Sequence, residues 1–413
     1  MKKVKLGELA DVIVSGVDKK TKDGETPVKL CNFVDVYHNW AITSEMCDSF
    51  MEASARDAEI DKFSLFKGQV AITKDSETRF DIGIPTYIAD DFDGVLLGYH
   101  CALITPNQEV LNGKYLNALL HSDYAKEYFA NNATGSGQRY TISEDTIKAF
   151  PVPLIPIEEQ VKIGNYLSDI DRKISCNKKQ NDLLEKLAKQ LYDYWFVQFD
   201  FPDENGKPYK SSGGAMVYNE KLKREIPEGW EFARLIDIAN ITMGQSPDGS
   251  SYNEKGKGII FYQGSTDFGI RFPKVRKFTT APTRYAKEGD ILMSVRAPVG
   301  ATNIASNNCC IGRGLSAINS KIGSITYIYE IISYFKSKFE QMNAAGTTFG
   351  SITKDDLHEL PCIKPKQEVV DAFEAVCSPI FDKQMRIGKE IDKLQSLTDT
   401  LLPLLITGQA TLK

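Results

Sequence analysis

Only four of the 413 residues are histidine and eight are cysteine, and neither set falls into a metal-ligand spacing. No Cys-x-x-Cys occurs, and vicinal Cys309 and Cys310 on a strand would point to opposite faces. His38, His100, His121 and His358 are isolated from one another along the chain. The sequence contains no Pro-Pro dipeptide, which excludes the Asn/Asp-Pro-Pro-aromatic loop of base amino-methyltransferases. No Glu has Lys two positions on, which removes the Glu-x-Lys signature of common metal-dependent nucleases. Gly113-Lys114, Gly206-Lys207, Gly256-Lys257 and Gly388-Lys389 are never followed by Ser or Thr, so the chain has no phosphate-cradling loop of the G-x-x-x-x-G-K-[ST] type. No apolar run approaches the ~18 residues of a membrane span, and Met1-Lys2-Lys3 leads into Val4-Lys5-Leu6 with no signal-peptide core. These absences predict a cytoplasmic protein with free thiols. They also predict no metal, no cofactor of its own, no membrane partner and no catalytic apparatus.

What is present is ordinary for a globular protein: 42% hydrophobic and 25% charged residues. The length predicts two or three domains, each able to bury a core. The net charge of −5 is unevenly spread. Residues 1–150 hold 16 Lys and Arg against 23 Asp and Glu, a balance of −7, whereas residues 230–353 hold 14 against 9, a balance of +5. A surface that tracks phosphates needs local clusters of cations rather than a basic total. The first region must therefore gather its few cations in one place or rely on a basic partner.

The chain repeats itself. Ser136-Gly-Gln-Arg-Tyr-Thr-Ile142 answers Gly346-Thr-Thr-Phe-Gly-Ser-Ile352, and each is followed by an acidic segment, then Phe150-Pro151 or Leu360-Pro361, then a heptad-patterned helix. Leu6, Leu9 and Ala10 answer Leu235, Ile238 and Ala239. Lys67-Gly68-Gln69-Val70 answers Glu288-Gly289-Asp290-Ile291, and Leu97-Gly98 answers Ile311-Gly312. A duplicated globule-plus-helix unit implies two equivalent sites on one chain, a design for reading something long.

The landmarks divide the chain at 1–153 (first globule), 154–201 (spacer helix), 202–226 (linker), 227–363 (second globule) and 364–413 (second helix). Val12-Ile13-Val14, Val70-Ala71-Ile72 and Ile84 to Ile88 read as short strands, and Tyr115 to Phe129 as an amphipathic helix. Leu167, Ile170, Ile174, Asn177, Asn181, Leu184, Ala188, Leu191 and Trp195 step three and four without a break. Val370, Phe373, Cys377, Ile380, Gln384, Ile387, Ile391, Leu394, Thr398, Leu401 and Leu405 repeat that seam, with Pro379 expected to kink or interrupt it. A heptad serves any bundle or oligomer, but two matched seams favour pairing within the chain. Positions 160–195 would span ~54 Å, enough to hold half-sites one duplex turn, ~34 Å, apart. Antiparallel pairing would set Asn177 and Asn181 near Gln384 as a register-fixing polar layer, unless these amides face solvent.

Base-edge contacts favour Arg, Gln and hydroxyl side chains on loops. In the second globule the candidates are Gln245, Ser246, Tyr252, Arg276, Arg296, Arg313, Thr347 and Thr348; the alternative for Arg296 and Arg313 is a loop-bracing salt bridge. In the first they are Lys74, Arg79, His100, Gln138, Arg139 and Tyr140.

Gln245-Ser246-Pro247, Phe261 to Gly264, Gly289 to Gly300 and Cys310 to Leu315 resemble the target-recognition domain of type I restriction–modification specificity subunits, a phage-defence family. Gly346 to Leu357 is similar to that family's boundary between globule and helix, and Ile155 to Gln160 to the start of its central helix. The resemblance implies an α+β fold with an internal two-fold pseudo-repeat, in which two mixed α/β target-recognition domains are separated by two long antiparallel helices forming a coiled coil. It implies a non-catalytic subunit that reads a bipartite site in double-stranded DNA. Two methyltransferase subunits would dock on the helices and bring S-adenosylmethionine, and restriction subunits can add to these. The first globule's loops match the pattern loosely. The rivals are a specificity module related to a single-chain restriction–methyltransferase and a protein-binding coiled-coil scaffold.

Overall fold

A computed structural model describes residues 3–18, 20–344 and 350–412. The chain forms two compact units, Met1–Cys176 with Asp392–Lys413, and Asn177–Ile391. In the first, Lys3–Lys5 pairs antiparallel with Pro151–Pro153. A five-stranded sheet runs in the order Ala10–Val14, Cys101–Pro106, Val70–Thr73, Pro85–Ile88, Ala41–Ile42. A second sheet sets Thr26–Cys31 between Met51–Ala55 and Val95–Leu97. Their apolar faces bury Val36, Ile42, Leu65, Ala71, Ile88, Leu97 and Leu103 in one cluster.

The second unit reuses this frame. Glu231–Arg234 pairs with Pro361–Lys364. The order Ala239–Met243, Leu315–Ser320, Ile291–Ser294, Thr302–Ile304 reproduces the first four strands of the larger sheet. The repeat extends to single hydrogen bonds. Leu6 N–H donates to Phe150 O at 2.8 Å, as Leu235 does to Leu360 at 2.9 Å. The turns at Gly68 and Gly289 both adopt left-handed backbone (φ +97° and +88°). In each, the next side chain reaches back three residues: Gln69 Oε1 accepts from Phe66 N–H at 2.7 Å, and Asp290 Oδ2 from Lys287 N–H at 2.8 Å. In both turns the acceptor is a side-chain carbonyl oxygen, of an amide in one and a carboxylate in the other, so the landmark survives a change of residue.

The two long helices are Ile157–Tyr192 and Gln367–Ile406. The first opens directly after Pro156, where a missing N–H costs nothing. It ends in a wider turn over Asp193–Val197. Within the first unit, Ile163, Leu167, Ile170, Ile174, Leu402, Leu405 and Ile406 are buried. Within the second, Asn177 meets Glu390 and the Trp195 ring lies 5.5 Å from Phe373. Numbers therefore fall along one helix as they rise along the other, which makes the pair antiparallel. Tyr192, Trp195, Phe196, Phe199, Phe201, Trp230, Tyr327 and Phe373 are buried in one core.

Three sequence expectations change. The helix read over Tyr115 to Phe129 is two, Gly113–His121 and Asp123–Asn132. Ser122 is extended (ψ 154°) and its side chain caps the second by accepting from Ala125 N–H, an N-cap preference stronger than the continuing apolar stripe. Pro379 does not interrupt its helix, which runs on through it; Phe373 and Cys377, both buried within the two turns before it, tie that stretch into the core. The segment read as a linker contains a hairpin, Met216–Asn219 with Arg224–Pro227, because Ile226 is buried and Met216 and Leu222 pack on the same core.

Candidate nucleic-acid interface

In the first unit, the residues nominated from sequence converge around one carboxylate. Asp75 lies at a strand start, nine-tenths buried, with Thr141 directly opposite in the ladder. Its Oδ2 is 2.5 Å from His100 Nδ1, and 3.6 Å from both Lys74 Nζ and Arg139 Nη2. Arg139 Nη2 is also 2.7 Å from His100 Nδ1, so the imidazole is wedged between carboxylate and guanidinium. Burial works against the charge on Asp75. Hydrogen bonds from His100 and Thr141 and the Lys74 ammonium outweigh it, and the carboxyl is held below its ordinary range. Arg79 stacks its guanidinium over Tyr140, 5.3 Å from the ring centre. Gln138 lines a cavity of about 470 Å³ with Phe33, Tyr37, Thr78, Asp81, His100 and Arg139. The acidic globule therefore does gather cations in one place. Asp75, the hub, was missed; it stands next to Lys74, but sequence gives no sign that one carboxylate will gather the neighbouring lysine, a turn histidine and a strand arginine.

The second unit builds its face on the same backbone. Ile142 N–H donates to Lys74 O and Ile352 N–H to Val295 O, each at 2.9 Å. Lys74 N–H donates to His100 O and Val295 N–H to Gly314 O. Asp75 thus corresponds to Arg296, and His100, left-handed at φ +71°, to Gly314. A Cβ on Gly314 would come within 2.9 Å of Gln263 O, so the chain passes too closely there for any side chain. The equivalent positions carry opposite charge.

Gln245 and Ser246 sit beside Arg313, whose N–H donates to Ser246 Oγ at 3.3 Å. Tyr252 stacks on Phe261 and donates its hydroxyl to Pro247 O at 2.9 Å, bracing that turn. Arg276 approaches Asp267 at 4.0 Å, and that carboxylate also accepts from Gln263 N–H. Arg296 and Arg313 are exposed, and among the described residues no carboxylate pairs with either, so the bracing alternative finds no partner there. Thr347 and Thr348 lie outside the described residues.

The expected amide layer is distributed differently. Asn177, Asn181 and Gln384 are all buried, not solvent-facing. Asn177, however, donates to Glu390 at 2.9 Å, and Gln384 Oε1 accepts from Arg271 at 3.3 Å. Neither amide atom of Asn181 has a partner among the described residues. Arg271 is itself buried, with its guanidinium 4.8 and 4.9 Å from the Tyr329 and Phe381 ring centres. The helix glutamine is therefore claimed by a loop arginine of the globule rather than by the opposing helix.

Among the described residues, no group of three or more His, Cys, Asp or Glu side chains is placed to hold a metal ion, and no helix is long and apolar enough to cross a membrane.

The type I restriction modification DNA specificity domain matches residues 1–186 and again 227–401. The MjaX specificity subunit of a type I restriction enzyme from Methanocaldococcus jannaschii is 33% identical over 326 residues, covering 77% of this chain and 73% of that protein. The MjaIX specificity subunit from the same organism is 27% identical over 400 residues, 93% of this chain and 85% of that one. The crystal structure of a type I restriction–modification S subunit from M. genitalium shares the fold, with a TM-score of 0.59 at 17% identity over 98% of this chain and 95% of the other.

Proposed function

The chain belongs to the type I restriction–modification DNA specificity family, and from that premise we propose that each globule reads one half of a bipartite site in double-stranded DNA. The paired helices set the gap and dock two methyltransferase subunits, to which restriction subunits can add. Methyl transfer from S-adenosylmethionine belongs to those partners, and the assembly acts in the cytoplasm. One observation carries this reading: a single backbone frame holds Asp75 and His100 in one globule and Arg296 and Gly314 in the other. A shared frame docks both units on the same kind of surface, and different side chains at matched positions read different bases.

The test is to purify the chain with its methyltransferase subunits. Methylation sequencing of the source genome would first spell out the modified site. The complex should then bind that site with strong salt dependence, and the purified chain alone should transfer no labelled methyl group to DNA. A complex that binds no DNA at any salt concentration would support the protein-binding scaffold. Methyl transfer by the chain alone would support the single-chain enzyme relative.

A further inference from the structure

The loop after Asp75 differs between the two globules in a way the repeat makes measurable. Gly83 N–H donates to Thr73 O as Gly300 N–H does to Ser294 O, and both glycines are left-handed. Between the matched pairs Asp75 to Gly83 and Arg296 to Gly300 lie seven residues (76–82) in the first globule and three (297–299) in the second. The added length carries Arg79 and Phe80. Phe80 is 84% exposed, the highest value among the exposed large hydrophobic side chains of the described residues. The segment that presents it is fastened on both sides. Arg79 lies over Tyr140, and Asp81 accepts the Tyr37 hydroxyl at 2.6 Å, with Tyr37 in turn stacked on Phe33.

We propose that Phe80 is a base-contacting residue of the first globule, packing its ring on the 5-methyl group of thymine at the major-groove edge of an A·T pair. This rests on the reading that the face bearing Lys74, His100 and Arg139 meets DNA, and it names what that face recognises. A single exposed aromatic on a surface is unremarkable; one held out by a braced loop beside a cation cluster is a contact awaiting a partner. The surrounding chemistry selects base edges over backbone. Glu77 and Asp81 line the same cavity as Gln138 and Arg139, and carboxylates repel phosphate but accept from base amino groups. An A·T pair offers an amino donor and a ring-nitrogen acceptor, which match the Gln138 amide, and a methyl group, the one apolar feature of the groove.

The experiment uses the full chain with its methyltransferase subunits and duplexes carrying the site. Each thymine of the first half-site is replaced in turn by deoxyuridine, which lacks only the methyl. Wild type should lose roughly fourfold in affinity at one position, the worth of one buried methyl-sized group. Phe80→Ala should bind the natural site several-fold more weakly and be indifferent to deoxyuridine there, while Phe80→Leu should keep part of the discrimination. Because Phe80 lies outside the core, its variants should melt with wild type. The proposal is overturned by a half-site with no A·T pair, by a wild type indifferent to every replacement, or by a Phe80→Ala protein that still discriminates. Arg139→Ala separates the two levels. If it weakens first-half-site binding while Phe80→Ala does not, this inference fails and the DNA-facing reading stands; if neither matters, that reading fails as well.

Discussion

Arg296 and Arg313 are exposed in tight turns, and among the described residues no carboxylate engages either guanidinium. Among the described residues, their hydrogen bonds inside the protein are made by backbone atoms, which alanine keeps, so loss of the guanidinium should register in recognition. Arg296→Ala or Arg313→Ala should leave the melting temperature within a degree or two of wild type. If the residue makes a guanine contact, cognate binding should weaken by about 1–3 kcal/mol, with relaxed preference confined to the second half-site. Sequencing of methylated sites in cells carrying each variant checks it; relaxation of the first half-site would contradict the assignment. Both arginines were legible in the sequence, since each stands among Gly or Pro. Asp75 was not, because its role is conferred by His100 from a turn and Arg139 and Thr141 from a strand, all 25 or more residues away. The tight neighbourhood of Gly314 was likewise set by Gln263, a residue with no sequence proximity to it.

At the scale of elements, the heptads located both long helices, and Pro156 marked the start of the first. They could not identify partners that come from outside the helix pair. The seam predicts which residues turn inward, and Asn177, Asn181 and Gln384 do; the loop arginine that takes Gln384 has no periodicity to announce it. The three amides consequently differ in energetic role. Asn181 buries both amide atoms without partners among the described residues, and such atoms cost about 1–3 kcal/mol. Asn181→Leu should therefore raise stability. Gln384→Leu should lower it, because it leaves a buried Arg271 N–H without its acceptor. Chemical denaturation of the two single variants checks the opposite signs; stabilisation by both would show that Arg271 finds another partner.

For the whole molecule, two buried titrating groups pull stability in opposite directions with pH. In the first unit, His121 stacks on Trp40 at 4.2 Å, and burial, then Lys126, pushes its pKa down to about 3. Between that value and the ordinary 6.5 the unfolded chain binds more protons, so stability is full above the unfolded pKa and is lost as pH falls. In the second unit, burial first, then Glu185, pushes Glu330 up to about 8. Between its unfolded pKa and about 8 the folded state binds more protons, so stability is full at low pH and is lost as pH rises. Hydrogen exchange should therefore show residues 1–176 loosening as pH falls from the ordinary histidine value toward about 3 and residues 177–391 loosening as pH rises from the ordinary carboxyl value toward about 8, with no further change above it. His121→Phe should flatten the loss seen in the first unit as pH falls, and Glu330→Gln the loss seen in the second unit as pH rises toward about 8, each by an amount on the order of a few kcal/mol. A common pH trend in both units would refute the assignment.

The boundary between the units runs through both long helices, so the first unit is discontinuous: its chain leaves at Cys176 and returns at Asp392. The second is one uninterrupted stretch. A ribosome adding about 5–20 residues per second needs on the order of 10–40 s to traverse residues 177–391. Throughout that interval the half synthesised first waits for Leu402, Leu405 and Ile406, which are buried within it, and the half begun later has all of its sequence before they are made. Order of synthesis and order of completion are therefore reversed. Leu167, Ile170 and Ile174, buried in the finished first unit, are thus made well before the chain that completes that unit.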